Sequence, residues 1–248
     1  MRSRRRWNEP ISNLHPGRAS ARMRSVISRF IAPLTRVLFR PSLLGLEKLP
    51  TVPFVLVANH SGGLGIAEAL CLAALFLRDT SGHTPLAPMV LPTNYFLPGN
   101  AQLMTALGAI PSTRAAALAA LRGGIALLVF PGGDHEALRP IWQANRVDFG
   151  GRTGFVRLAR EACVPVVPLG IRGGHWTAPS LLRSRFLAYL FVVPRLLGAK
   201  RWGISLRRRA ARPRARRGGA CTTRPCVIVS DVEGASADAV VEDDALCP

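Results

Sequence analysis

Residues 53–63 read Pro-Phe-Val-Leu-Val-Ala-Asn-His-Ser-Gly-Gly, an apolar run that enters Asn59-His60 and then breaks into small residues. A short continuous apolar run closed by a turn signal describes a strand buried on both faces. The same grammar returns at 125–133, Ile-Ala-Leu-Leu-Val-Phe-Pro-Gly-Gly. Around these two runs, strand-like and helix-like segments alternate: 53–57, 66–77, 86–91, 100–107, 113–121, 125–130, 153–161 and 164–169, with Gly and Pro at most joints. That rhythm predicts an α/β sandwich with a mainly parallel sheet covered by helices on both sides. In such a sheet, ligands bind in a crevice outside the carboxyl ends of the strands. His60 and the Pro131-Gly132-Gly133 turn both fall at such ends.

The 248 residues fit one domain with tails. A basic, partly amphipathic segment covers 1–44, the domain itself 45–206, and a low-complexity stretch 207–248. The formal charge is +19, from 33 Lys and Arg against 14 Asp and Glu. Such a balance draws the surface toward anionic partners: membrane lipid, nucleic acid or phosphorylated substrates. Lysine occurs only at 48 and 200, so part of the charge reflects GC-rich coding rather than chemistry. The cysteines at 71, 163, 221, 226 and 247 form no CxxC pair and no even framework, which suits a reducing cytosol and leaves no metal expected. No apolar run follows the basic start as a secretory signal requires. The longest apolar stretches, 64–77 and 186–193, fall short of the roughly 20 residues of a spanning helix. Any membrane contact is therefore expected to be peripheral, on the cytoplasmic face.

Between Arg2 and Arg40 ten arginines face one acid, Glu9, and over 23–39 they interleave with Val26, Ile27, Phe30, Ile31, Leu34, Val37, Leu38 and Phe39. The three- and four-residue spacing fits a helix lying among lipid headgroups with arginines on phosphates, kinked at Pro33. It fits equally a helix docked on the domain with a solvated charged face. At the other end, 207–226 contains no acid and 230–248 contains six. Neither half shows a core pattern. Disorder explains this composition, and so does a frameshifted GC-rich frame, which resequencing would expose as a globular continuation in another frame.

The chemistry-bearing residues are few. His60 stands at the end of an apolar strand, and two adjacent glycines at 132 and 133 allow close backbone approach or N–H groups aimed at an oxyanion or phosphate. A structural histidine and a plain tight turn are the competing explanations. Their repetition in one strand-to-turn context favours a shared crevice.

Five ordered blocks then carry a resemblance: NHSGG at 59–63, GAIPSTR at 108–114, FPGGDHEALR at 130–139, RTGFVRLA at 152–159 and VPVVPL at 164–169. Together, over roughly 45–176, they resemble the phospholipid and glycerol acyltransferase family. The PGGxxEAL and RxGFxxLA forms are most similar to its diacylglycerol acyltransferase type-2 branch, whereas the phosphate-acceptor branch usually carries FPEG. The resemblance implies a glycerol-3-phosphate acyltransferase-like αβα sandwich. It also implies transfer of a fatty acyl group from acyl-CoA, as substrate and not cofactor, to the hydroxyl of a glycerolipid or lysolipid acceptor. His60 would be the general base.

The family commonly places an aspartate four residues beyond that histidine. This chain has Gly65 there, and its first acid is Glu68. Either Glu68 orients the imidazole from one methylene further away, or it is a solvated helix residue in a degenerate site. By block membership Arg114, at the start of a helix, would help hold the acceptor's head. Asn59, Ser61, Gly62, Gly63, Pro131, Gly132, Gly133, Glu136 and Arg139 would line the substrate site, with Glu136, Arg139 and Arg146 reaching acceptor hydroxyls or coenzyme phosphates. His135 and His175 are incidental on this view, and Asp148 belongs to no pattern. An acyl-CoA thioesterase on the same fold and a catalytically degenerate membrane-binding member are the alternatives. A nucleic-acid binder would fit the charge but leaves the five blocks unexplained.

Overall fold

A computed structural model describes residues 17–51, 53–61, 66–80, 84–96, 99–137, 139–143, 146–174, 180–184, 202–205 and 228–230. Gly62, Gly63 and His175, the first sixteen residues and nearly all of 207–248 lie outside this set.

Five parallel strands make the centre: β2 (Val55–Ala58), β3 (Leu86–Val90), β4 (Ile110–Pro111), β5 (Ala126–Val129) and β6 (Val166–Arg172), in the spatial order β6-β2-β5-β3-β4. The expected αβα sandwich with a parallel sheet is observed. The register pairs Val57 with both Val129 and Pro168, so β2 and β5 end together and their turns open on one edge, while β6 runs on to Arg172. Parallel pairing obliges each connection to cross over, and helices supply the crossovers.

The apolar runs are continuous because each strand serves two cores. Along β2 and just before it, Phe54, Leu56 and Ala58 join Cys71, Leu72, Ala126 and Leu128 beneath α3 (Ile66–Asp79). Val55 and Val57 join Leu127 and residues of α5 (Arg114–Arg122) and α7 (Gly154–Ala162) on the opposite face. Every residue of β2 is buried. Fully burying such an aliphatic side chain is worth about 1.5–3 kcal/mol, so a one-residue slip, which exchanges the two faces, is strongly disfavoured.

Two additions flank this centre. Residues 21–39 form one helical run, α1 (Ala21–Val26), a π turn (Ile27–Ile31) and α2 (Ala32–Phe39), which starts at the Ser20 cap and ends on Arg40 at φ 48°. Next to Pro33, where the sequence predicts a kink, the helical hydrogen bonding is irregular: the π turn lies just before the proline, with Ala32 N–H donating to Ile27 O. The run packs on α3 through Ile27 and Thr35, both buried. Val26, Phe30, Leu34, Val37 and Leu38 face outward, Phe30 being 68% exposed.

At the sheet's other edge, β1 (Ser42–Leu43) pairs with β9 (Ile228–Ser230), which in turn pairs antiparallel with β6. Composition pointed to a coreless stretch over 207–248. Its apolar run Val227-Ile228-Val229 is the local signal that composition averages away. A separate antiparallel pair, β7 (Ser180–Ser184) and β8 (Trp202–Ser205), follows the central sheet. Among the described residues no helix is long and apolar enough to cross a membrane.

Candidate active site

Where β2 ends, Asn59 turns its side chain sideways into β6. Its Nδ2 donates to Ile171 O at 2.9 Å and its Oδ1 accepts from Ile171 N–H at 2.7 Å, so the side-chain amide imitates one more rung of the ladder. This anchors the chain just before His60. Asn59 is buried by these contacts and its polar atoms are occupied.

The His60 ring stacks on Phe130, with centroids 4.2 Å apart and planes 13° off parallel. Its Nδ1 meets Glu68 Oε1 from the first turn of α3. A carboxylate offers only lone pairs, so this contact places the ring proton on Nδ1 and leaves the Nε2 lone pair for chemistry. The other Glu68 oxygen accepts from Ser61 N–H at 2.6 Å and Ser61 Oγ–H at 2.7 Å. Ser61 Oγ itself accepts from Gly174 N–H at 3.1 Å. Glu68 is 1% exposed, not a solvated helix residue. The His60 side chain keeps 17% exposure, while its partner Glu68 has none.

At the end of β5 lies α6 (Gly133–Ala137), which carries Glu136. The Glu136 carboxylate accepts from His60 N–H at 2.9 Å, Asp148 N–H at 3.2 Å and Arg139 Nη1 at 3.2 Å. Arg139 Nη2 donates to His60 O at 3.1 Å. Burial pushes the Glu136 carboxyl up from its ordinary value, partly offset by those N–H groups and by the Arg139 charge. Burial also lowers the Arg139 guanidinium, and its Nε is a buried donor without a partner among the described residues. Asp148, half-buried, is pulled down by the Gly150 N–H and by His135.

The two glycines work by vacancy. A Cβ at Gly132 would stand 2.4 Å from both Glu136 Cβ and Oε2, and one at Gly133, where φ is 48°, would stand 2.8 Å from Arg152 Nη1. The Gly133 N–H closes the turn on Phe130 O at 3.1 Å, so it is not aimed at an oxyanion. Arg152 binds the carbonyls of Pro131 and Gly132 at 3.0 and 2.7 Å, and Asp134 Oδ1 at 3.1 Å, so it braces the turn from outside.

Arg114 begins α5 after the cap Thr113, whose side chain accepts from Ala116 N–H. It pairs bidentately with Glu161 of α7 and is 75% exposed. Arg114, Arg152 and Arg157 stand around a cavity of about 630 Å³ walled by Met89, Val129, Pro131, Phe155 and Leu158. That volume suits a small lipid or cofactor-sized ligand. The cavity lies on the α5 and α7 side of β5, while His60 lies on the α3 side, and the consecutive residues Pro131 and Phe130 serve one each.

The structure thus gathers Asn59, His60, Ser61, Glu68, Glu136 and Arg139 into one network and sets Arg114 apart with the cavity. His135 pairs with Asp148 at 3.1 Å, off the His60 ring. Sequence reasoning passed over Phe130, Asp148, Arg152, Ile171 and Gly174 as site components. The first and third stood in quoted blocks; the others act through backbone atoms, which leave no residue-type signal. Among the described residues no group of three His, Cys, Asp or Glu side chains is arranged to hold a metal ion.

The fold is a parallel α/β sandwich with a carboxylate-backed histidine at its carboxyl edge, and comparison with known proteins gives its family. Residues 40–172 match the acyltransferase family, and the chain belongs to that family. It is 28% identical over 171 residues to an uncharacterized protein of Mycobacterium leprae, covering 68% of this chain and 46% of that protein. It is 29% identical over 125 residues to the DGAT1/2-independent enzyme synthesizing storage lipids of Gallus gallus, covering 50% and 36% respectively. The Bos taurus protein of the same name is 29% identical over 147 residues, covering 59% and 43%. The chain spans less than half the length of each of these relatives. No solved structure matches it.

Proposed function

We propose that the chain transfers a fatty acyl group from acyl-CoA to the hydroxyl of a glycerolipid or related lipid alcohol, with His60 as general base and Glu68 as the carboxylate that orients it. The observation that carries this is the His60 Nδ1 to Glu68 contact at the carboxyl edge of the sheet, with the ring still solvent-accessible. The Nε2 lone pair takes the acceptor's hydroxyl proton as its oxygen bonds to the thioester carbonyl carbon. The C–S bond then breaks, and the proton leaves with the coenzyme A thiolate. Glu68 stabilises the imidazolium meanwhile. The thioester is already activated, so positioning supplies much of the remaining rate.

The apolar cavity beside Pro131 takes the lipid part of a substrate whose reacting end crosses the β5 end, from Pro131 to Phe130, to reach His60; Arg114 and Arg157 at the cavity's rim meet a polar or anionic head. The outward stripe Val26, Phe30, Leu34, Val37 and Leu38, bordered by Arg22, Arg29, Arg36 and Arg40 with no acid among them, lies on an anionic bilayer at its cytoplasmic face. The likeness to enzymes named for storage-lipid synthesis supports an acceptor of this kind.

The test is coenzyme A release from palmitoyl-CoA with a panel of glycerol phosphate, lysophosphatidate, monoacylglycerol and diacylglycerol, comparing wild type with His60→Ala. Acylation of one acceptor, lost in the variant, is the expected outcome. Release without an acylated product identifies a thioesterase. No release from folded, vesicle-bound protein identifies a degenerate site.

A further inference from the structure

Among the described residues, Glu136 and Arg139 form the most deeply buried ion pair, with side chains 0% and 3% exposed. A pair removed from water in this way contributes little net stability, because desolvation offsets the attraction. Its hydrogen bonds nevertheless converge on the backbone of a single residue at another strand end, on the two peptide units that flank its Cα. Glu136 Oε2 takes the His60 N–H and Arg139 Nη2 gives to the His60 C=O, at 2.9 and 3.1 Å. The second Glu136 oxygen is filled by Arg139 Nη1 and the Asp148 N–H. Three donors occupy the carboxylate, and a Cβ at residue 132 would displace it. Neither side chain is presented to a ligand.

We propose that Glu136 and Arg139 are positioning residues for the base: a buried charge clamp that grips the His60 backbone from both sides and holds the ring between Phe130 and Glu68, without touching substrate. The inference rests on His60 being the base, as proposed above. The side-chain anchors of Asn59 and Ser61 fix the residues before and after His60. The clamp fixes His60 itself, whose own side chain must stay free on its outer edge. The strand end thus acquires a rigid backbone although it has left the ladder. A displacement of about 1 Å in such a group can cost on the order of 10²-fold in rate.

Amide hydrogen exchange in full-length protein labelled at His and Leu reads the clamp without reference to activity. In wild type the His60 amide exchanges as slowly as that of Leu56 within β2. In Glu136→Gln, where a neutral acceptor replaces the carboxylate, it exchanges about tenfold faster, while Leu56 and Leu127 are unchanged. Arg139→Lys, able to serve Glu136 or His60 O but not both, shifts it in the same direction. In acyl transfer both variants lower kcat about 10- to 100-fold, with KM for donor and acceptor within about twofold.

Unaltered His60 exchange in folded Glu136→Gln overturns the proposal, as does a raised KM with wild-type kcat, the signature of a substrate contact. Should neither variant fold, a rapidly exchanging His60 amide in wild type is enough to reject it, and a slow one supports it. If wild type transfers no acyl group to any acceptor, the assignment of His60 fails while the exchange data still decide the clamp.

Discussion

The ends of β2 and β5 look alike in sequence, an apolar strand running into small residues, yet they are put to opposite uses. The β2 end turns one ring toward solvent and secures everything around it: Asn59, Ser61 and Glu68 are buried while the His60 side chain is 17% exposed. The β5 end turns its charged side chains inward, with Glu136 and Arg139 beneath the His60 peptide. On the clamp proposed above, a charged residue in a site block need not meet the substrate. Its place is set by which buried backbone groups lack a partner, since an unmet N–H or C=O costs about 1–3 kcal/mol.

Substitution at the exposed member of this pair of strand ends has the largest expected effect. His60→Ala lowers acyl transfer by about 10²–10⁴-fold, with an unchanged urea unfolding midpoint and circular dichroism; residual turnover near wild type would break the contrast between the two ends. Next comes Glu68→Gln, which keeps the side-chain volume but removes the ring's charge partner and its preferred tautomer. A fall in kcat of about 10²-fold is expected, by analogy with the weakened triads of hydrolases, and a kcat within twofold of wild type would assign Glu68 to structure alone.

Gly132→Ala sharpens the comparison from the β5 side. With 2.4 Å available beside Glu136, the added methyl must displace the clamp, at a cost of about 1–3 kcal/mol in denaturant unfolding, and turnover falls with it. Arg114→Ala removes a solvent-exposed pair with Glu161 and should change stability by less than about 1 kcal/mol; an effect on acceptor KM without one on kcat would tie the cavity mouth to the acceptor's head.

The smallest effect is on pH dependence. The Glu136 carboxyl is raised by burial, so the folded chain holds its proton more tightly than the unfolded one. Its contribution to stability is full below the ordinary carboxyl range and is lost as pH rises through the raised folded value. Unfolding of Glu136→Gln, which carries no such proton, should lack that decline; parallel stability-pH curves for the two proteins would contradict it.

The amino-acid sequence by itself determined the α/β sandwich, because a strand covered on both faces must be apolar at every position, and 53–57 and 125–130 are. It pointed to the edge that carries the candidate site for the same reason: the residues after each run are where the chain leaves the ladder. It also marked the family through five spaced blocks, and singled out Glu68 as the first acid past His60. Less was legible of what those block residues do. The vacancy at Gly132, the service of Glu136 and Arg139 to a backbone 76 and 79 residues away, and the strand at Ile228–Ser230 within a stretch of biased composition all depend on contacts across the sheet. Only the tertiary structure decided them, because hydrogen bonds to main-chain atoms and the space beside a missing Cβ are set by which strands become neighbours, and residue type alone does not encode that.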